Sequence, residues 1–173
     1  DLMQEPIPAQ DLDAVWCRWV ACFVSDPGRL VAAAAAALRP GGRFILHEYF
    51  AYSTYGLIPW RPEIAAFVEA VYESWRAQGG EPDAALGLPH RLVDAGFDLV
   101  SSRPIGFAVR PHERNWRWPS EFVRTNVPRL VELGVRDSRW GERVLAALAE
   151  SERDPASIFV TPTVMELIAV KVR

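Results

Sequence analysis

Residues 26–48 read DPGRLVAAAAAALRPGGRFILHE, and this stretch decides the fold. Asp26 suits a helix N-cap, and Pro27 fits the first helical position, where its missing N–H costs nothing. Alanine has the highest helix propensity, so the run that follows predicts a helix to about Leu38. The chain therefore begins this stretch with a well-marked helix.

The helix must end at the sequence PGG. Pro40 cannot continue it, and Gly41 and Gly42 supply the positive φ of a helix exit. Residues 43–49 then predict the next buried strand, and residues 13–17, upstream of the helix, predict a central strand because both faces are apolar. Strand, helix and strand in this order form a βαβ unit, so the chain is an α/β protein with a mostly parallel sheet.

The remaining chain alternates helices and strands. Residues 49–61 predict an aromatic loop, and Pro62 opens a helix with apolar residues at spacings of three and four. A short helix over 88–95 closes at a glycine. Further predicted elements are a strand from 97 to 100 that could extend to 109, a polar and helical stretch over 111–155, and a strand over 164–172.

The composition excludes several classes of function. The chain has 173 residues, half of them apolar, and a net charge of −3, so nucleic acid is not an expected partner. Cys17 and Cys22 show neither disulfide nor metal-site spacing and are expected to be buried thiols of a cytoplasmic protein, and no metal is expected. The longest apolar run is far shorter than the roughly 20 residues of a membrane span, so no membrane partner is expected.

The order of these elements resembles the second half of a class I S-adenosylmethionine-dependent methyltransferase. Residues 13–20 (DAVWCRWV) are similar to its fourth strand and exit, and 38–42 (LRPGG) to the turn before strand five. Residues 92–97 (LVDAGF) are similar to the helix-to-strand-six junction, and 164–172 to the antiparallel last strand. The resemblance implies a partial Rossmann-like sheet, strands four to seven, with a helical insertion between the last two strands.

The resemblance also assigns residues to the cofactor, S-adenosyl-L-methionine. Asp1 stands where the family's acidic residue accepts a hydrogen bond from the adenine amino group, and Leu2 where a backbone N–H meets the ring. A solvated terminus is the alternative for Asp1. The position of Cys17 and Arg18 implies that backbone atoms there contact the methionine part of the cofactor, since ligands bind outside the carboxyl ends of the strands.

One part of the family pattern is missing. No Gly-x-Gly occurs in the chain, so the turn that lets the backbone approach the cofactor is not encoded in these residues. The strand whose terminal acid holds the ribose hydroxyls is also missing. We therefore expect the isolated chain to bind S-adenosylmethionine weakly or not at all.

The end of the predicted fifth strand offers the candidates for acid–base work. Methyl transfer mainly requires alignment of the nucleophile and exclusion of water, and a base only where the acceptor must lose a proton. Side chains alternate along a strand, so His47 and Glu48 face opposite sides of the sheet. We predict that Glu48 and Tyr49 lie near the pocket, with His47 packed or hydrogen-bonded beneath the sheet.

Aromatic residues outside the predicted sheet are candidates for an acceptor wall. Tyr52 and Trp60 lie in the aromatic loop, and a satellite core is the alternative for that loop. Trp116 and Trp118 lie in the insertion, which is too long for a hairpin turn and implies a helical cap, a dimer surface or extra packing. The predicted organisation is 1–110 for the C-terminal half of the methyltransferase core, 111–155 for the cap or insertion and 156–173 for the final core strand.

The sequence thus predicts a cytoplasmic enzyme that methylates a small, hydrophobic or aromatic metabolite, with this chain as its N-terminally incomplete part. The protein could form a homodimer. Two alternatives stay open: a fragment of a nicotinamide-dependent oxidoreductase, and a non-catalytic fragment that offers an interaction surface through exposed sheet edges. A final strand antiparallel between its neighbours would favour the methyltransferase over the oxidoreductase.

Overall fold

A computed structural model describes residues 4–172. Within them, the chain forms two compact units: unit 1 comprises 4–51, 78–105 and 164–172, and unit 2 comprises 52–77 and 106–163. The elements in chain order are β1 (Leu12–Arg18), α1 (Pro27–Ala37), β2 (Leu38–Ala51), β3 (Gly56–Ile58), α2 (Pro62–Ala77), α3 (Leu88–Asp94), β4 (Phe97–Ile105), β5 (Ala108–Val109), α4 (Arg117–Glu132), α5 (Ser138–Arg153), β6 (Ile158–Val160) and β7 (Thr163–Lys171).

Unit 1 is built on the four predicted strands, in the order β1-β2-β7-β4. β1 and β2 are parallel, and β4 and β7 are antiparallel. The Nζ of Lys171, at the end of β7, donates to the carbonyl of Leu38, at the start of β2 (2.6 Å), and Glu166 contacts His47 near the other ends. β7 therefore runs antiparallel between its two neighbours, which is the arrangement that favours the methyltransferase-like fold.

The helix that opens the deciding stretch forms as predicted. The Asp26 side chain accepts a hydrogen bond from the backbone N–H of Gly28 (2.8 Å), and Pro27 is the first residue of α1. In β2, Phe44, Leu46 and Glu48 are each 0% exposed, whereas the residues between them are less buried. One face of this strand is thus fully covered within unit 1.

The position of β1 differs from the predicted central strand. Among the described residues β1 lies at the edge of the sheet, and Trp16 is 56% exposed. Apolar residues on both faces predict a strand with two neighbours. In this structure only β2 pairs with β1, so its other edge and much of one face are exposed to solvent.

Two segments outside the main sheet differ from the sequence prediction. Residues 49–61 are not one loop: β2 continues to Ala51, a 3-10 turn covers Tyr52–Thr54, and β3 pairs antiparallel with β6. The strand that begins at Phe97 ends at Ile105 and does not continue to Val109. Ala108–Val109 form a separate strand, β5, which pairs with β6 in a second sheet. These pairings join residues far apart in sequence, so no local pattern indicates them.

Unit 2 combines the three-stranded sheet β3-β6-β5 with helices α2, α4 and α5, which contact one another. Residues 52–77 belong to this unit, so its bounds differ from the predicted range 111–155. Phe159 of β6 is fully buried, between the rings of Tyr55 and Trp116 at centroid distances of 5.2 Å each. Within residues 4–172, no helix has both the length and the apolar character needed to cross a membrane.

The two glycines of the LRPGG turn are needed for different reasons. The helix exit lies earlier than predicted, because α1 ends at Ala37 and Leu38 is already extended. Gly41, which lies within β2, has a φ of +77°, whereas Gly42 has no positive φ. A Cβ on Gly42 would lie 2.9 Å from the carbonyl oxygens of Arg39 and Leu12. Gly42 therefore permits the close approach of β1 to the turn, whereas Gly41 permits its conformation.

We expect Gly42→Ala to lower the free energy of unfolding by about 1–3 kcal/mol, since the Cβ meets backbone that must shift. Gly41→Asn should be nearly neutral, because asparagine tolerates the left-handed region, whereas Gly42→Asn should be as damaging as Gly42→Ala. Urea denaturation measures each change. Gly106→Ala is the control, since its Cβ would have no neighbour closer than 3.8 Å. A neutral Gly42→Ala would contradict the close-approach argument.

Candidate functional site

The ends of β1 and β2 bring several predicted site residues to one edge of unit 1. Arg18 stands opposite His47 in the parallel register, and the backbone N–H of Trp19 donates to the carbonyl of His47 (3.0 Å). Trp19 has a φ of +55°, which turns the chain away from the sheet into a short 3-10 turn at Ala21–Phe23. The carboxyl ends of parallel strands are where α/β proteins bind ligands.

Glu48 holds this turn. Its Oε1 accepts hydrogen bonds from the backbone N–H groups of Val20 (2.8 Å) and Ala21 (3.0 Å), and the Cys17 thiol lies 3.7 Å away. The side chain is 0% exposed, and its Oε2 has no hydrogen-bond partner within the described residues. Burial raises the pKa of the Glu48 carboxyl, although the two N–H donors oppose that shift.

The thiols and the phenol beside Glu48 are also buried. Burial and the nearby Glu48 raise the pKa of the Cys17 thiol to about 12 and also raise the pKa of Cys22. Tyr49 stacks on Trp19 at a centroid distance of 5.7 Å, and burial raises the pKa of its phenol. These groups are therefore neutral near pH 7, and neither thiol is an activated nucleophile.

Aromatic and charged side chains lie at the same edge on the other face of the sheet. The Arg18 guanidinium lies over the rings of Trp16 (5.1 Å) and Trp19 (4.7 Å). His47 packs edge-on against Trp16, and its Nε2 lies 2.9 Å from Glu166. His47 and Glu48 thus lie on opposite faces, as the strand alternation predicts.

Glu166 links β7 to this edge. Its Oε1 pairs with Arg103 (2.9 Å) and its Oε2 with His47, and these two partners lower the pKa of its carboxyl. Sequence reasoning missed Glu166, because β7 and β2 are far apart in the sequence and only their pairing in the sheet brings Glu166 to this edge. A charged residue in an otherwise apolar last strand was the one available signal.

The predicted acceptor-wall residues lie in unit 2 with different environments. Tyr52 is 1% exposed and packs against Tyr55, Tyr72 and Trp75, so it belongs to the core. Trp116 is 3% exposed, and its indole N–H donates to Glu152 (3.2 Å). Trp118 is 37% exposed, and Trp60 is 72% exposed.

Trp60 lines an open cavity of about 380 Å³ whose lining residues all belong to unit 2. Its walls come from the 3-10 turn at Tyr52–Thr54, from β3 and the segment after it, from one face of α2, and from Val160. Of the four aromatic residues predicted for substrate, Trp60 is the one at this cavity. Sequence reasoning missed the other walls, because the pairing of β3 with β6 creates them.

The predicted adenine contacts, Asp1 and Leu2, lie outside the described residues. Cys17 and Arg18 are at the strand edge, but the Cys17 side chain points to Glu48 and Arg18 is engaged by the two tryptophan rings. The structure therefore brings Cys17, Arg18, Glu48 and Tyr49 together in unit 1. Within residues 4–172, no three His, Cys, Asp or Glu side chains form a metal-binding group.

Comparisons with known proteins are consistent with the methyltransferase-like strand order of unit 1. Residues 1–46 match the family described as a methyltransferase domain. The chain is 26% identical over 136 residues to methyltransferase pytC of Aspergillus terreus, covering 78% of this chain and 38% of the relative. The chain thus spans less than half the length of that relative.

Solved structures show the same fold. A protein from Bacillus halodurans, assigned as a methyltransferase, superposes with a TM-score of 0.57 at 16% identity, covering 100% of this chain and 76% of that one. Phosphoethanolamine N-methyltransferase 2 of Haemonchus contortus, solved with phosphomonomethylethanolamine and S-adenosylhomocysteine, gives 0.50 at 13% identity, covering 100% and 36%. Residues 1–46 thus resemble part of a methyltransferase domain, and the described chain shares its fold with these solved structures.

Proposed function

We propose that this chain belongs to an enzyme that transfers a methyl group from S-adenosyl-L-methionine to a small, hydrophobic or aromatic metabolite. The observation that carries the proposal is the sheet order β1-β2-β7-β4 with β7 antiparallel between its neighbours. This order puts the turn after β1 at the carboxyl edge of the parallel pair, where such folds take their ligands. The reduced, buried cysteines support a cytoplasmic location for the protein.

The residues present fit one side of the cofactor. The backbone after β1, at Cys17 and Arg18, would hold the methionine part, and Glu48 fixes that backbone through Val20 and Ala21. The sulfonium of the bound cofactor supplies an electrophilic methyl group. The sequence contains no Gly-x-Gly, so this chain offers no turn for close approach on the other side.

Glu48 acts as a positioning residue in this proposal. Its Oε1 is taken by backbone donors and its side chain is fully buried, so its contacts favour holding the cofactor turn over exchanging a proton with an acceptor. A catalytic role for Glu48 or Tyr49 stays a prediction. His47 and Glu166, whose side chains are half-buried, contact each other on the opposite face of the sheet at this edge.

Titration with S-adenosylhomocysteine tests this half-site. We expect amide chemical-shift changes at residues 17–21, at their neighbours in β2 and at the N-terminal residues predicted to contact adenine, with a dissociation constant weaker than about 1 mM for the 173-residue chain. Adenosine alone is the control ligand, since it lacks the methionine part. Micromolar affinity by calorimetry would contradict the half-site, and binding that leaves the amides at 17–21 unchanged would overturn the cofactor assignment itself.

A further inference from the structure

We propose that the cavity in unit 2 binds a small amphipathic amine, with an apolar body among the aromatic side chains and an ammonium group at Glu69. Every residue that carries this proposal lies in unit 2, so it stands apart from the methyl-transfer proposal. The cavity volume of about 380 Å³ falls within the range of small-molecule sites.

The walls are suited to an apolar body. Leu57 and Val68 are buried beneath the cavity, and Trp60 and Tyr72 add aromatic surface at its rim. Trp60 is 72% exposed, which is unusual for the largest apolar side chain and would be relieved by a bound ligand. Aromatic faces also attract cations, and Tyr72 already receives the Arg76 guanidinium at 4.8 Å from its centroid.

The charges around the cavity favour a cation. Among its described lining residues, Arg61 supplies the guanidinium and Glu69 the carboxylate. Arg61 is paired with Glu150, with 3.3 Å between Nη1 and Oε2. Its positive charge is therefore largely compensated inside the protein.

Glu69 retains its capacity to accept hydrogen bonds. Arg136 attracts it electrostatically, but Arg136 gives both of its terminal nitrogens to Glu73, each at 2.7 Å. The Glu69 side chain is exposed to solvent, and within residues 4–172 its carboxylate forms no hydrogen bond or ion pair. A ligand ammonium placed between this carboxylate and the aromatic rim would pair with both.

Gly56 offers a way to fill the cavity without strain. It lines the cavity opposite Val160 in the β3–β6 pair, its φ is not positive, and a Cβ there would meet no heavy atom within 4 Å. A leucine at this position would project into open space, so the fold should tolerate it. The Gly56→Leu variant therefore separates binding at the cavity from binding elsewhere.

Three probes that share a phenethyl body test the proposal: phenethylamine, 2-phenylethanol and 3-phenylpropionate, titrated against the whole chain by NMR. We expect phenethylamine to bind with a dissociation constant of roughly 1–10 mM and to perturb the Trp60 indole signal, with the alcohol weaker and the carboxylate weakest. Glu69→Gln should weaken phenethylamine binding about twofold to fivefold, with the effect reduced by salt. Glu142→Gln, an exposed glutamate on α5 away from the cavity, is the matched control and should change nothing.

Gly56→Leu should abolish binding while its circular dichroism stays that of the parent chain, and Trp60→Ala, at an exposed position, should weaken it without affecting folding. Stronger binding of 3-phenylpropionate would overturn the proposal, because Arg61 would then govern the site. Equal binding of the amine and the alcohol, or no binding to about 10 mM, would also overturn it.

Discussion

Glu48→Ala should lower the free energy of unfolding by roughly 3 kcal/mol, and Glu48→Gln by less than about 1 kcal/mol. The alanine removes the acceptor of two backbone N–H groups, those of Val20 and the fully buried Ala21, and leaves a cavity between β2 and the turn. The glutamine keeps one carbonyl oxygen at the Oε1 position. Its amide then occupies the place of Oε2, which has no partner within the described residues.

The comparison of Glu48→Gln with the parent chain should depend on pH. Burial raises the pKa of Glu48 in the folded chain above the unfolded value of about 4.3. Such a group contributes stability that is fully present below the unfolded pKa and is lost as pH rises through the folded pKa. Relative to Glu48→Gln, the parent chain should therefore be most stable near pH 4 and lose that advantage as the pH rises to 8.

Urea denaturation of both proteins between pH 4 and pH 8 measures this difference. Asp98→Asn, which removes an exposed carboxylate on β4, is the control for the loss of one charge. A parent chain that gains on Glu48→Gln with rising pH would show that the two N–H donors outweigh burial. A harmless Glu48→Ala would contradict the positioning role itself, since the turn would then need no acceptor.

The sequence predicts α1 and the core of β2 because their signals are local, although β2 begins at Leu38, five residues before the predicted strand. Asp26, Pro27, the alanine run and Pro40 each act on the backbone within a few residues, and the structure places α1 at Pro27–Ala37. Strand alternation likewise separates His47 from Glu48. It could not show which of the two is buried, because that depends on which sheet face is covered by elements distant in sequence.

The parts that the sequence does not predict depend on distant pairing. β3 and β6 have three residues each, too few for a periodic pattern, and each exists through the other. The cavity wall at Gly56 and Val160 follows from that pairing, as does the placing of Tyr52 in a core. The edge position of β1 is unpredicted for the same reason. The apolar residues of β1 indicate that other segments cover the strand, but they do not show which segments these are.

Phe159→Ala should lower the free energy of unfolding of unit 2 by about 3–5 kcal/mol. The ring is fully buried, stacks on Tyr55 with an interplanar angle of 23° and meets Trp116 edge-on. Its removal leaves a cavity beneath the short sheet that it joins to the helices. Phe159→Leu restores most of the volume and should cost less than about 1.5 kcal/mol.

Phe107→Ala is the matched control, because Phe107 is in the same unit but 54% exposed, and its hydrogen bonds to Thr161 use only its backbone. It should change stability by no more than about 0.5 kcal/mol. Urea denaturation gives the free energies, and hydrogen exchange at the amides of β3 and β6 locates the loss. The two variants remove the same side chain, one from a buried and one from an exposed position. Equal effects of Phe159→Ala and Phe107→Ala would therefore mean that the β3–β6 pair does not depend on the contacts of the buried Phe159 ring.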